Sequence, residues 1–181
     1  MSKPIFIHIP KNGGTTVKQV FHKRAFCHHH TRLQDLHAYD GEIEDAYKFA
    51  FIRNPYDRAV SYYRFVVRRY SERDLPKTWK LPHVHDSFLD FLRYAIPNWE
   101  VFKPQVFWTE GVEFNYLGRF ENFEQDLRAI GKEVNIKLGK IPVTNASKRH
   151  TDYRNYYCEE SRGMVEEFFK EDFETFGYEY E

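Results

Sequence analysis

Short continuous apolar runs alternate along this chain with segments of helical period. Ile5 to Ile9 is rich in β-branched and aromatic residues and is closed by Pro10, which suits a buried strand of a parallel sheet. After Gly13 and Gly14, the residues Thr15 and Thr16 are placed to cap a helix whose apolar positions Val17, Val20 and Phe21 recur at helical spacing. Phe49 to Ile52 is a second apolar run, ended by Arg53, Asn54 and Pro55, with Pro55 where a helix can begin. Ala59, Val60, Tyr63, Val66, Val67 and Tyr70 then keep helical period. Asp86 and Ser87 are placed to cap a helix carrying Phe88, Phe91, Leu92 and Ala95 and stopped by Pro97. Tyr116 to Phe120 reads as another strand, and Asn122 as the cap of a helix running through Leu127 and Ile130 to a stop near Gly131. Residues 140–153 lack apolar periodicity and read as a loop, and a last helix carries Met164, Val165, Phe168 and Phe169. Strands alternating with helices, with crossovers long enough for parallel pairing, predict a three-layer α/β domain.

Length and composition narrow this picture. A chain of 181 residues fits one domain over 1–181, and 41% hydrophobic with 30% charged residues excludes a disordered chain. Seventeen Phe and thirteen Tyr predict an aromatic-rich core. Lys plus Arg equals Asp plus Glu at 27 each, so no net field draws the protein to nucleic acid or membrane, and anion binding has to be local. The start MSKPIFIHIP lacks the features of a signal peptide, and no stretch approaches the roughly 18 apolar residues of a membrane span. The expectation is a cytoplasmic protein. Cys27 and Cys158 are too few for a disulfide framework and read as two unrelated thiols.

The candidate chemistry lies where the first apolar run ends. In Pro10-Lys11-Asn12-Gly13-Gly14-Thr15-Thr16 a strand gives way to a helix start, whose unpaired N–H groups and dipole favour an anion. Glycines let the backbone come close, Lys11 adds a point charge, and the Thr15 and Thr16 hydroxyls add donors. The lysine precedes the glycines, unlike the order GxxxxGK[ST] of nucleoside triphosphatases, which weakens an ATP or GTP reading. At the second strand end, Arg53 offers a guanidinium fork suited to a terminal phosphate, and Ser61 lies about two helical turns later. Together the two strand ends point to a ligand with two separated phosphate groups.

IPKNGGTT followed by FAFIRNPYDRAVSYY resembles the paired 5′-phosphosulfate and 3′-phosphate motifs of sulfotransferases that use 3′-phosphoadenosine-5′-phosphosulfate (PAPS). The resemblance is to the carbohydrate sulfotransferase group that includes chondroitin, dermatan and heparan enzymes. GRFENFEQDL, VTNASKRHTDYRNYY and VEEFFKEDFETFGYEYE resemble that family's later segments in the same order, and the match is weakest between Arg69 and Phe114. The resemblance implies a P-loop-like sulfotransferase fold and sulfuryl transfer to a hydroxyl, with a glycan as the expected acceptor. It implies that Lys11, Asn12, Gly13, Gly14, Thr15 and Thr16 hold the 5′-phosphosulfate and Arg53 and Ser61 the 3′-phosphate, with no metal required. Lys148 and Arg149, in the late loop with Asn145 and Ser147, become candidate phosphate partners.

A base within hydrogen-bond reach of the acceptor hydroxyl is also needed, and histidine suits that role near neutral pH. His29-His30-Thr31 fits the His-x-Ser/Thr setting of related enzymes, making His29 the first candidate, with His28, His30 and His37 as rivals. Cys27 with the three histidines also invites a zinc reading, but the usual spacings of paired ligands are absent. Arg64, Arg68, Arg69, Arg73, Lys77, Lys80, His83 and His85 lie in or just before the segment of weakest match, where acceptor specificity is expected to vary. Two other functions remain open at this point: a small phosphotransferase of nucleotide-kinase type, and a PAPS-binding module without transfer activity.

Overall fold

In a computed structural model of the chain, residues 3–27, 30–35, 43–71, 86–142 and 152–180 are described. The chain forms two compact units, Met1–Arg53 with Gln105–Asn145, and Asn54–Pro104 with Ala146–Glu181.

The first unit is built on a parallel sheet of β1 (Ile5–Ile7), β2 (Lys48–Ile52) and β3 (Tyr116–Arg119), in the order β1-β2-β3. Every residue of β1 and β2 is buried, the burial on both faces that continuous apolar runs require of parallel strands. Phe6, Phe49 and Phe51 form one core with Val17 and Phe21 of α1 (Gly14–Phe21) and Leu127 and Ile130 of α5 (Phe123–Glu133). The outer edge of β1 is taken by the segment beyond α1, where Phe6 N donates to Phe26 O at 2.9 Å and Phe26 N to Pro4 O at 2.8 Å. The predicted α/β class is thus what the chain adopts: a three-stranded parallel sheet flanked by helices.

The second unit holds α2 (Pro55–Ser71), α3 (Phe88–Asn98), α6 (Glu159–Phe168) and α7 (Lys170–Phe176). Its core is aromatic, as the composition predicts. Phe102 is fully buried with its ring 5.2 Å from Tyr62, 5.4 Å from Phe91 and 5.3 Å from Phe169. Arg58 is buried too, its charge met by Lys103 O at 3.0 Å and by the faces of Tyr62 and Phe169.

Four local expectations shift. Thr15 and Thr16 do not cap α1; Gly13, at φ 83°, is the cap, so both threonines lie inside the first turn. Pro97 falls within the last turn of α3, whose end carbonyls receive Asn98 Nδ2 at Tyr94 O and Trp99 N at Ala95 O. Gly131 lies inside α5, which runs two residues further to Glu133; its place there is one of packing, since a Cβ would collide with Leu138 and the Ile136 carbonyl. The last helix is two, broken at Phe169 (φ −102°, ψ 21°), and the break lets both Phe168 and Phe169 pack on Phe102. The short α4 (Val106–Thr109) had no periodic signal.

Candidate anion-binding site

The candidate site residues of the first unit gather where β1 and β2 end. Beyond Ile7 the chain turns through Pro10, and Lys11 and Gly13 both adopt left-handed backbone, at φ 69° and 83°. Such a conformation is costless for glycine and uncommon for lysine, so the turn is imposed by its surroundings. Lys11 and Gly13 are half-buried, Thr15 is exposed and Thr16 buried. Gly13 O already accepts from Thr16 N at 2.9 Å and Val17 N at 3.2 Å, which leaves the N–H groups of Gly14 and Thr15 at the open start of α1.

The two glycines do more than permit a turn. A Cβ on Gly13 would enter the Phe123 ring, and one on Gly14 would overlap the His8 imidazole. Their missing side chains are therefore filled by protein. Asn12 is buried, and its Nδ2 donates to Phe51 O at 2.6 Å and Gln105 Oε1 at 2.7 Å. What Asn12 offers the loop is its anchorage.

Arg53 leaves the end of β2 nearly fully buried. Its Nη1 donates to Lys11 O at 2.8 Å, and its guanidinium lies 4.1 Å from the centre of the Phe120 ring. The two motifs singled out in sequence, forty-odd residues apart, are thus joined by a direct bond. Ser61 lies on α2, in the second unit, and is half-buried.

Of the histidine cluster, His30 is described. It has φ 48°, and its ring stands 4.5 Å from that of His8 and 6.5 Å from Trp108. His8 stacks in turn on Phe6, and it is the ring that fills the space beside Gly14. His28, His29, His37, Lys148 and Arg149 lie outside the described residues. Cys27 is half-buried, and burial pushes its thiol up to about 11. Among the described residues no group of three His, Cys, Asp or Glu side chains is arranged to hold a metal ion. Arg68 and Arg69 of α2 lie over the Phe65 ring at 5.9 and 5.4 Å.

Sequence reasoning missed His8, Gln105, Phe120 and Phe123. A lone histidine inside the apolar run FIHIP is a legible signal in hindsight; Gln105, between Pro104 and Val106, carries none.

Among the described residues no helix is long and apolar enough to cross a membrane. No curated protein and no solved structure matches the chain. A sequence model described as the sulfotransferase family, however, matches residues 2–179, nearly the whole chain. With a match of that extent behind the cradle at Lys11–Thr16 and its partner Arg53, the chain belongs to the sulfotransferase family.

Proposed function

We propose that this protein transfers a sulfuryl group from PAPS to a hydroxyl of a glycan, in a three-layer P-loop-like fold formed by one domain. The observation that carries this reading is the Arg53–Lys11 bond, which unites a helix-start anion cradle with a second cation at the neighbouring strand end. A doubly phosphorylated nucleotide has its charge divided in just that way.

The roles are those the family resemblance implies, with the chemistry each residue can supply. The 5′-phosphosulfate lies along Lys11 to Thr16, held by the first N–H groups of α1, the Thr15 hydroxyl and Lys11. The 3′-phosphate lies with Arg53 and Ser61, with Lys148 and Arg149 as further partners. The acceptor oxygen attacks sulfur as the bond from sulfur to the 5′-phosphate oxygen breaks. Lys11 neutralises the charge that develops on that leaving oxygen. The acceptor proton passes to a histidine of the 28–30 segment. His29 fits the sequence pattern, and His30 has its ring one ring away from the cradle, 4.5 Å from the His8 ring and tilted to it. The products are a sulfate ester and adenosine 3′,5′-bisphosphate.

Two measurements test this. Adenosine 3′,5′-bisphosphate is expected to raise the melting temperature well above the shift produced by ATP; equal shifts would favour the kinase reading. Labelled PAPS is then offered with glycans, phenols and small alcohols, and label is expected in a glycan product. Tight nucleotide binding without transfer to any acceptor would point to a binding module.

A further inference from the structure

The strands β1 and β2 end at different heights, and two side-chain amides occupy the gap. Ile5 N donates to Tyr47 O at 2.8 Å, so the backbone groups of Tyr47, Phe49, Phe51 and Arg53 face the β1 side of β2. β1 stops at Ile7, whose partner is Ala50. Phe51 O and both backbone groups of Arg53 therefore extend past the last residue of β1, in a region where buried polar groups must be matched.

Asn12 and Gln105 match them. Asn12 Nδ2 donates to Phe51 O at 2.6 Å, while Gln105 Oε1 accepts from Arg53 N at 2.9 Å and Gln105 Nε2 donates to Arg53 O at 2.9 Å. The carboxamide of Gln105 thus pairs with Arg53 as a neighbouring strand would. A third bond, Asn12 Nδ2 to Gln105 Oε1 at 2.7 Å, closes the network. The orientation of both amides follows from their backbone partners, since Arg53 N can only donate and Arg53 O and Phe51 O can only accept. Gln105 is fully buried, and it is the residue at which the chain re-enters the first unit after leaving it at Arg53.

We infer that Gln105 is the positioning residue of the anion site: it fixes the backbone of Arg53 and the side chain of Asn12 at once, and so sets the guanidinium against the Lys11 turn. It touches no ligand itself. The inference rests on the nucleotide reading above, and deepens it by naming what holds its two halves in register.

The test is calorimetric titration of adenosine 3′,5′-bisphosphate into the unaltered protein, Gln105→Ala and Gln105→Glu, each at pH 5.5 and pH 8, with circular dichroism verifying folding. Gln105→Ala is expected to bind about tenfold more weakly or worse at both pH values, the scale of buried partners left unmatched. Gln105→Glu keeps the shape. Its protonated carboxyl supplies both the acceptor for Arg53 N and a donor for Arg53 O, whereas its carboxylate supplies no donor. Its affinity relative to the unaltered protein is therefore expected to recover at pH 5.5 and fall at pH 8, a pH response that a purely structural lesion would not produce. If Gln105→Ala does not fold, the isosteric variant decides alone. Unaltered affinity in Gln105→Glu at both pH values, or an equal deficit at both, would overturn the inference. Absence of binding by the unaltered protein would instead remove the donor reading itself, and this inference with it.

Discussion

Arg53 donates through Nη1 to the main-chain oxygen of Lys11 at 2.8 Å, with its guanidinium carbon over the Phe120 ring at 4.1 Å. One cation thereby holds the turn that presents another. Arg53→Lys keeps the charge and loses both the guanidinium over the ring and the fork geometry. A charge-assisted bond of this kind contributes about 1.5–3 kcal/mol. Nucleotide affinity is expected to fall at least tenfold, read by calorimetry at fixed ionic strength; affinity retained in the lysine variant would mean that the fork is dispensable.

Gly14→Ala puts a methyl group into the His8 imidazole, and Gly13→Ala puts one into Phe123 while also demanding a left-handed alanine at φ 83°. Overpacking of this sort costs about 1–3 kcal/mol, and the left-handed alanine adds about 1–2 kcal/mol. Denaturant midpoints are expected to order as unaltered, then Gly14→Ala, then Gly13→Ala. Shortening His8 to alanine is expected to rescue Gly14→Ala and leave Gly13→Ala unrelieved.

Lys11→Ala removes the half-buried cation of the cradle without touching its main-chain link to Arg53. Its turnover with labelled PAPS is expected to drop about a hundredfold or more, the scale of losing one group that stabilises developing charge, with a smaller change in nucleotide affinity. His30→Ala is expected to lower turnover while nucleotide affinity holds. If both variants turn over normally, the assignment of the reacting face to this loop is wrong.

The two cysteines differ in opposite directions. Burial pushes the Cys27 thiol up to about 11, whereas a hydrogen bond with Ser161 at the start of α6 holds the exposed Cys158 thiol below its ordinary value. The thiolate is the reactive form, so at pH 8 roughly one Cys27 in a thousand is ionised, and its rate rises with pH up to about 11. Alkylation followed by mass spectrometry is expected to label Cys158 first. Cys158→Ser is expected to abolish the fast phase, and Ser161→Ala to slow it.

Much of the architecture was legible because it is written in local pattern. Short apolar runs such as Phe49 to Ile52, closed by turn residues, suit strands buried on both faces, and Pro55 and Ser87 announce the helices that follow. The turn at Lys11 to Thr16, the candidate cradle, was legible for the same reason: glycines and threonines directly after a strand form a local signature of a helix start. Gly131 and Phe169 misled for the complementary reason. Each looks, locally, like a helix stop or a helix interior, and each is decided by what packs against it.

What the amino-acid sequence determined by itself was the parallel α/β class, the aromatic core, the strand-to-helix turn proposed as an anion cradle, and family membership through residues 2–179. Only the tertiary structure decided that Gly13 and Gly14 make room for Phe123 and His8, that Arg53 props the Lys11 turn, and that Gln105 completes the sheet where β1 stops. The physical reason is one of range. Propensity and periodicity act between residues a few positions apart, whereas Gln105 meets Arg53 across a long excursion of chain and becomes useful only once two strands of unequal length leave backbone groups to be matched.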